Sequence, residues 1–272
     1  MIRVGVIGTG SIGSVIASTL AGKPIPGVEL VGIANRPRSK DTVDALARQW
    51  GCNGMTEPLD LPSAGANLVV EAAGAEAARQ YAIPLLRAGA DVIIMSTGVF
   101  ADADFVAELT RAAADSGRRV HLPSGAIAGI DGILSAMESG PVEVRVTTRK
   151  HPGALADAPH FGKTGLDVER LTDATIVFEG NARAAIAGFP SNLNVALTLA
   201  TAAGGIDHVQ VRMIADPAAE FTKHQVDVTG RSGTITIDLT NKPSEQNPKS
   251  SWLAALSAIA TIRRIASPVW IG

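Results

Sequence analysis

Ile2-Arg3-Val4-Gly5-Val6-Ile7-Gly8-Thr9-Gly10-Ser11-Ile12-Gly13 is the stretch whose reading decides the fold. Residues 2–7 form a short apolar strand. The glycines follow as Gly-x-Gly-x-x-Gly, and an apolar helical pattern begins at once. Strand, glycines and helix in this order give the motif its meaning. Gly8 allows a tight turn, Gly10 lets a pyrophosphate approach the backbone, and Gly13 lets helix and strand pack closely. Ser11 and Ile12 begin the helix, whose N-terminus offers free N–H groups and a positive dipole end. Dinucleotide binding is the expectation; a glycine-rich turn without a ligand is the alternative.

Outward from this motif the pattern repeats. Ile12, Val15, Ile16 and Leu20 keep helical spacing. Strands are expected at 28–34, 66–73, 91–96 and 119–122, and helices at 41–50, 75–88 (around Pro84) and 104–116. Strands alternating with helices at this spacing indicate a doubly wound parallel sheet, hence an α/β fold. After Pro123-Ser124-Gly125-Ala126 the pattern changes. A helix is expected at 127–139, followed by alternating strands at 142–147 and 209–213. Residues 225–228 and 234–239 read as a hairpin around Gly230-Arg231-Ser232-Gly233. One-sided alternation suits a sheet with one face on helices. The expected division is a dinucleotide-binding domain at 1–125, an α+β substrate and oligomerisation domain at 126–240, and a C-terminal loop and helix at 241–272 packing back between them.

The 272 residues suffice for two cores, and only 18% are charged, with a net charge of −2. A nucleic-acid partner would call for a basic stripe. Apolar runs are broken before membrane-spanning length. The nucleotide strand begins at residue 2, leaving no room for a signal peptide. Cys52, the single cysteine, excludes an internal disulfide and a cysteine-based zinc site. The scattered histidines give no metal spacing either. A soluble cytoplasmic protein is expected, acting on a small molecule as a homodimer or higher homo-oligomer, with neither nucleic acid nor membrane as partner.

The end of the second strand reads Ala34-Asn35-Arg36-Pro37-Arg38. An acidic residue there would bond the adenosine ribose and repel a 2′-phosphate. Asn35 can still bond a hydroxyl, and Arg36 or Arg38 can meet a phosphate. NAD or NADP is therefore expected; solvated loop charges are the alternative. Two more strand ends carry small residues that let a cofactor lie near the backbone: Ala72-Ala73-Gly74-Ala75 and Ser96-Thr97-Gly98-Val99.

Of five histidines, His224 stands apart. Period-2 alternation places it with Val226 and Val228, opposite Lys223, Gln225 and Asp227. A titratable ring aimed at the apolar side has a perturbed pKa. The residues alone favour a hydrogen-bonded core histidine over an acid/base. His151 adjoins Arg149 and Lys150, an anion site or a solvated strand end. Asn181 fits an N-cap, and Asn192 or Asn194 either caps a helix or bonds a carboxamide.

Taken together, the chain resembles the L-aspartate dehydrogenase family. The resemblance rests on the glycine motif, Pro123-Ser124-Gly125-Ala126-Ile127, Phe178-Glu179-Gly180-Asn181-Ala182-Arg183, Asn192-Leu193-Asn194-Val195-Ala196, Ile214-Ala215-Asp216-Pro217, His224 and Asn247-Pro248-Lys249-Ser250-Ser251. It implies oxidation of L-aspartate to iminoaspartate with NAD or NADP. Hydrolysis then gives oxaloacetate and ammonia, or the imine feeds NAD biosynthesis. It also implies that His224 is catalytic and that Ala126 and Asn194 contact the cofactor; Ala73 and Gly74 are expected contacts from their place in a strand-end loop. A dicarboxylate needs cations, and Arg149, Lys150, His151, Arg183 and Lys249 are the substrate-binding expectations. The rival readings are a two-domain dehydrogenase of a sugar or another amino acid, and a non-catalytic dinucleotide sensor.

Overall fold

The computed structural model describes residues 1–190, 193–244 and 247–271, apart from the side chains of 247–250. It divides into two compact units, Met1–Pro123 with Ala254–Gly272, and Ser124–Leu253.

The first unit runs β1 (Ile2–Ile7), α1 (Ser11–Gly22), β2 (Val28–Ala34), α2 (Lys40–Trp50), β3 (Asn53–Met55), β4 (Leu68–Glu71), α3 (Ala75–Arg87), β5 (Asp91–Ile94), α4 (Ala103–Ser116) and β6 (Val120–His121). The strands form one parallel sheet in the order β3-β2-β1-β4-β5-β6. Parallel strands bury both faces, which is why β1 and β4 are almost wholly apolar. Val4, Val6, Ile16, Leu20 and Val43 pack on one side of the sheet. Ile7, Val69, Leu85, Leu86, Ile94 and Leu109 pack on the other. The strand order reverses between β1 and β4. Ligands of such sheets bind in the crevice at the carboxyl ends beside this point.

The second unit runs α5 (Ile130–Met137), β7 (Glu143–Lys150), α6 (Pro159–Thr164), β8 (Thr175–Asn181), α7 (Ala182–Gly188), α8 (Asn194–Ala202), β9 (Val209–Ala215), β10 (Thr222–Gly230), β11 (Gly233–Asn241), β12 (Pro243–Ser244) and β13 (Asn247–Ser251). Its main sheet has the order β11-β10-β7-β9-β8, with β7 and β9 parallel and the other pairs antiparallel. Val144, Val146, Val211, Met213, Val226 and Val228 are buried on one face. The other face carries hydrogen-bonded polar side chains such as Arg212 with Glu179, and Thr236 with Asp227. This matches the alternation read from the sequence.

The last helix, α9 (Trp252–Ala266), returns to the first unit. Its Ala258, Ile259 and Ile262 join Val4 and Ile16 in one core.

The structure departs from the sequence reading at several elements. The helix expected from 127 starts at Ile130, because Gly129 takes a left-handed conformation with φ of +74°. β8 was not expected: the register slips between Ile176 and Phe178, which breaks the period-2 signal. The hairpin strands are longer than read, nine residues each. Among the described residues no helix is long and apolar enough to cross a membrane. Nor do three or more His, Cys, Asp or Glu side chains converge there as metal ligands.

Candidate active site

The glycine loop of the first unit has the shape its motif implies. Gly8 has φ of +96°, and a Cβ there would lie 2.7 Å from the Ala72 carbonyl oxygen. A Cβ on Gly13 would overlap the Gly8 carbonyl oxygen, so close packing of α1 on the loop requires glycine. A Cβ on Gly10 would meet nothing within 4 Å. Gly10 caps α1 without a side-chain hydrogen bond, and no acidic residue stands in the first turn. The space beside Gly10 at the N-terminus of α1 is open, which fits a pyrophosphate. Asn35 shapes this loop from β2: its Nδ2 donates to Thr9 Oγ1 at 2.6 Å, and its Oδ1 accepts from Arg36 N. Arg36 and Arg38 are exposed.

A carboxylate that the sequence reading passed over lies next to this loop. Glu71, at the end of β4, is 1% exposed. Its Oε1 accepts from the N–H groups of Ala73 and Gly74, both at 2.8 Å, and from Ser96 Oγ at 2.9 Å. Its Oε2 accepts from Ser96 N at 3.2 Å. Burial pushes its pKa up, and these four hydrogen bonds oppose the shift.

In the second unit, the paired ends of β7, β10 and β11 bring His224, Thr148, Lys150 and Asn241 to one face of the sheet. The register sets His224 opposite Thr148, and Thr222 opposite Asn241. His224 is 5% exposed, and its Nδ1 is hydrogen-bonded to Thr148 Oγ1 at 3.0 Å. That bond fixes the ring and leaves proton transfer to Nε2. Lys150 follows Thr148 by two residues, so it leaves β7 on the same face. Burial draws its pKa down to about 8. Burial, assisted by the Lys150 charge, lowers the His224 pKa to about 3. The imidazole is therefore neutral at physiological pH. Asn241, also buried, donates from Nδ2 to the Ala126 carbonyl at 2.7 Å. This bond ties the 124–129 loop to the end of β11.

Comparisons with known proteins identify the family. Residues 131–265 match the family model described as aspartate dehydrogenase, C-terminal. Residues 8–123 match that of the homoserine dehydrogenase NAD binding domain. The L-aspartate dehydrogenase of Methanosarcina barkeri is 39% identical, with all of both chains covered. The chain belongs to the L-aspartate dehydrogenase family. A second family member, from Methanosarcina mazei, is 38% identical, again over the whole of both chains. The crystal structure of the aspartate dehydrogenase of Thermotoga maritima shares the fold with a TM-score of 0.72, at 29% identity and with both chains fully covered.

The residues expected to bind a family substrate occupy different surroundings. Of these, among the described residues, only Lys150 shares the face of His224. Arg149 leaves the opposite face of β7 and pairs with Asp216 at 2.8 Å. His151 accepts from Gly153 N at 3.2 Å and shapes the following turn. Arg183 is exposed on α7, paired with Asp207 at 3.0 Å. The Lys249 side chain and Asn192 lie outside what the structure describes. Asn194 is exposed at the start of α8. Asn181 caps α7, accepting from Ala184 N at 2.8 Å. Thr148, Asn241 and Glu71 were missed. Their partners are set by strand pairing or by contacts between loops, which a linear reading does not display.

Proposed function

We propose that this chain oxidises L-aspartate to iminoaspartate with NAD or NADP, and that the imine goes on to oxaloacetate and ammonia. The observation that carries the reading is the shared buried face of His224 and Lys150 in a member of this family. A bound dinucleotide supplies the hydride acceptor at its nicotinamide ring. The chain's own residues position the substrate and handle its proton.

His224 is the proposed acid/base. Its neutral imidazole takes the proton from the substrate ammonium, so that the nitrogen lone pair assists hydride loss from the α-carbon. After that proton has passed to solvent, the neutral ring activates the water that attacks the imine. Thr148 holds the ring in place while Nε2 works. Lys150 is the proposed anchor for a substrate carboxylate, in a low-dielectric setting that strengthens the pairing. Ala126, positioned by Asn241, and Asn194 are the proposed cofactor contacts of the second unit. Gly8, Gly10, Ser11, Ile12, Gly13, Ala73 and Gly74 are those of the first. Arg36 and Arg38 are exposed beside the glycine loop, and no acidic residue stands at that strand end, which supports acceptance of both NAD and NADP.

The test is direct. The protein is mixed with NAD or NADP and L-aspartate, and the absorbance of the reduced cofactor is followed. Turnover with aspartate and with either dinucleotide is expected. Turnover only with a sugar or another amino acid, or dinucleotide binding without turnover, overturns the reading. A preference for NAD of a thousandfold ends the claim of dual cofactor use.

A further inference from the structure

We propose that Glu71 is a positioning residue for the dinucleotide: its carboxylate fastens the β4–α3 loop to the end of β5 and so holds the backbone wall of the cofactor crevice. The proposal rests on the cofactor reading above.

Three loops at the carboxyl edge of the first sheet are joined in series. The glycine loop abuts the second loop directly, since Gly8 faces the backbone of Ala72 and Ala73. Glu71 then binds Ala73 N and Gly74 N in that second loop. The same carboxylate reaches the third loop through the backbone and hydroxyl of Ser96. Ala73 and Gly74 are where a cofactor is expected to lie close to the backbone. Gly74 has φ of +122°, and Glu71 accepts the N–H groups of both residues.

The residue type follows from the donor count. Four donors converge on one side chain, three of them on Oε1. A carboxylate has two acceptor oxygens, whereas a carboxamide has one. In Glu71→Gln the amide nitrogen would face Ser96 N, donor against donor. The bond from Ser96 N would be lost, while the Ser96 hydroxyl bond and the bonds within the β4–α3 loop, all on Oε1, would survive. Glu71 meets Ala73 N and Gly74 N just ahead of α3, and neither α1 nor α3 carries a side-chain cap.

The full-length protein is titrated with NADH and NADPH by fluorescence, and KM and kcat are measured for both substrates. Glu71→Gln is expected to weaken dinucleotide binding about tenfold and Ser96→Ala about threefold, each leaving the aspartate KM within about twofold. A residue that merely stabilised the fold would lower the thermal midpoint without separating the two KM values. Unchanged dinucleotide affinity in folded Glu71→Gln overturns the proposal, as does a parallel loss for both substrates. Should Glu71→Gln fail to fold, Ser96→Ala decides by the same criteria. A wild-type protein that binds neither dinucleotide overturns the cofactor reading itself, which is a distinct failure.

Discussion

The glycine loop of the first unit and the His224 face of the second are built on opposite principles. One is shaped by missing side chains: at Gly10 the backbone is open, and at Gly13 no added atom fits. The other is shaped by side chains placed against one another, His224 on Thr148 with Lys150 beside them. A site made by backbone is damaged by adding atoms, and a site made by side chains is damaged by removing them. The difference also decides what a sequence can show. A gap leaves a local motif, whereas a side-chain cluster is scattered along the chain.

This contrast can be broken by experiment, starting with the largest effect. His224→Ala should lower kcat by about 10²- to 10⁴-fold, as expected for loss of an acid/base group. Steady-state kinetics on the folded variant decide, and wild-type turnover would remove His224 from the mechanism. Gly13→Ala should weaken dinucleotide binding about a hundredfold and lower the unfolding midpoint, since the overlapped atom is backbone and cannot yield. Gly10→Ala should keep the wild-type midpoint and lose affinity only. If calorimetry and titration find the two alike, the backbone account of the loop fails.

Lys150→Met should raise the aspartate KM about tenfold or more, the scale of a hydrogen bond to a charged group. The wild-type profile supplies an independent check. Lys150 loses its proton as pH rises through about 8, so kcat/KM for aspartate should fall above that pH. A profile in Lys150→Met that keeps the same basic limb would assign the limb elsewhere.

His224 also leaves a mark on stability. Its ordinary pKa of 6.5 is lowered to about 3 by folding, so the unfolded chain binds the extra proton. Stability should therefore fall as pH drops from 6.5 towards 3, by up to about 1.4 kcal/mol per pH unit from this group. Urea melts of the wild type and His224→Gln across that window test it, and superimposable pH slopes count against a buried neutral ring. The smallest effect belongs to Arg183→Ala. Its ion pair with Asp207 is exposed, so activity should stay within about twofold. A large rise in the aspartate KM would return Arg183 to the substrate site.

Much of this was legible in the sequence for stated reasons. The β1 motif is contiguous, and the parallel sheet follows from strands and helices in regular succession. His224 was placed on the correct face because β10 alternates without interruption. What stayed hidden depends on separation or irregularity. Thr148 lies 76 residues from His224, and Ala126 lies 115 from Asn241, so neither pair exists until the strands are in register. β8 was lost to a register slip. Glu71 was read as one more strand residue, since its role comes from a loop beyond its own strand. Arg149 and Lys150 looked equivalent as neighbours, yet the pleat sends one to Asp216 and the other to the face of His224.

The placement of α9 has a consequence for how the molecule is made. Ile259 and Ile262 belong to the same core as Val4 and Ile16, although they are separated from them by more than two hundred positions of chain. During synthesis the second unit leaves the ribosome before the first has all of its interior. The nucleotide-binding sheet, first in sequence, thus waits for α9. Nascent chains stalled short of residue 258 should carry a protease-sensitive first unit beside a complete set of strands for the second.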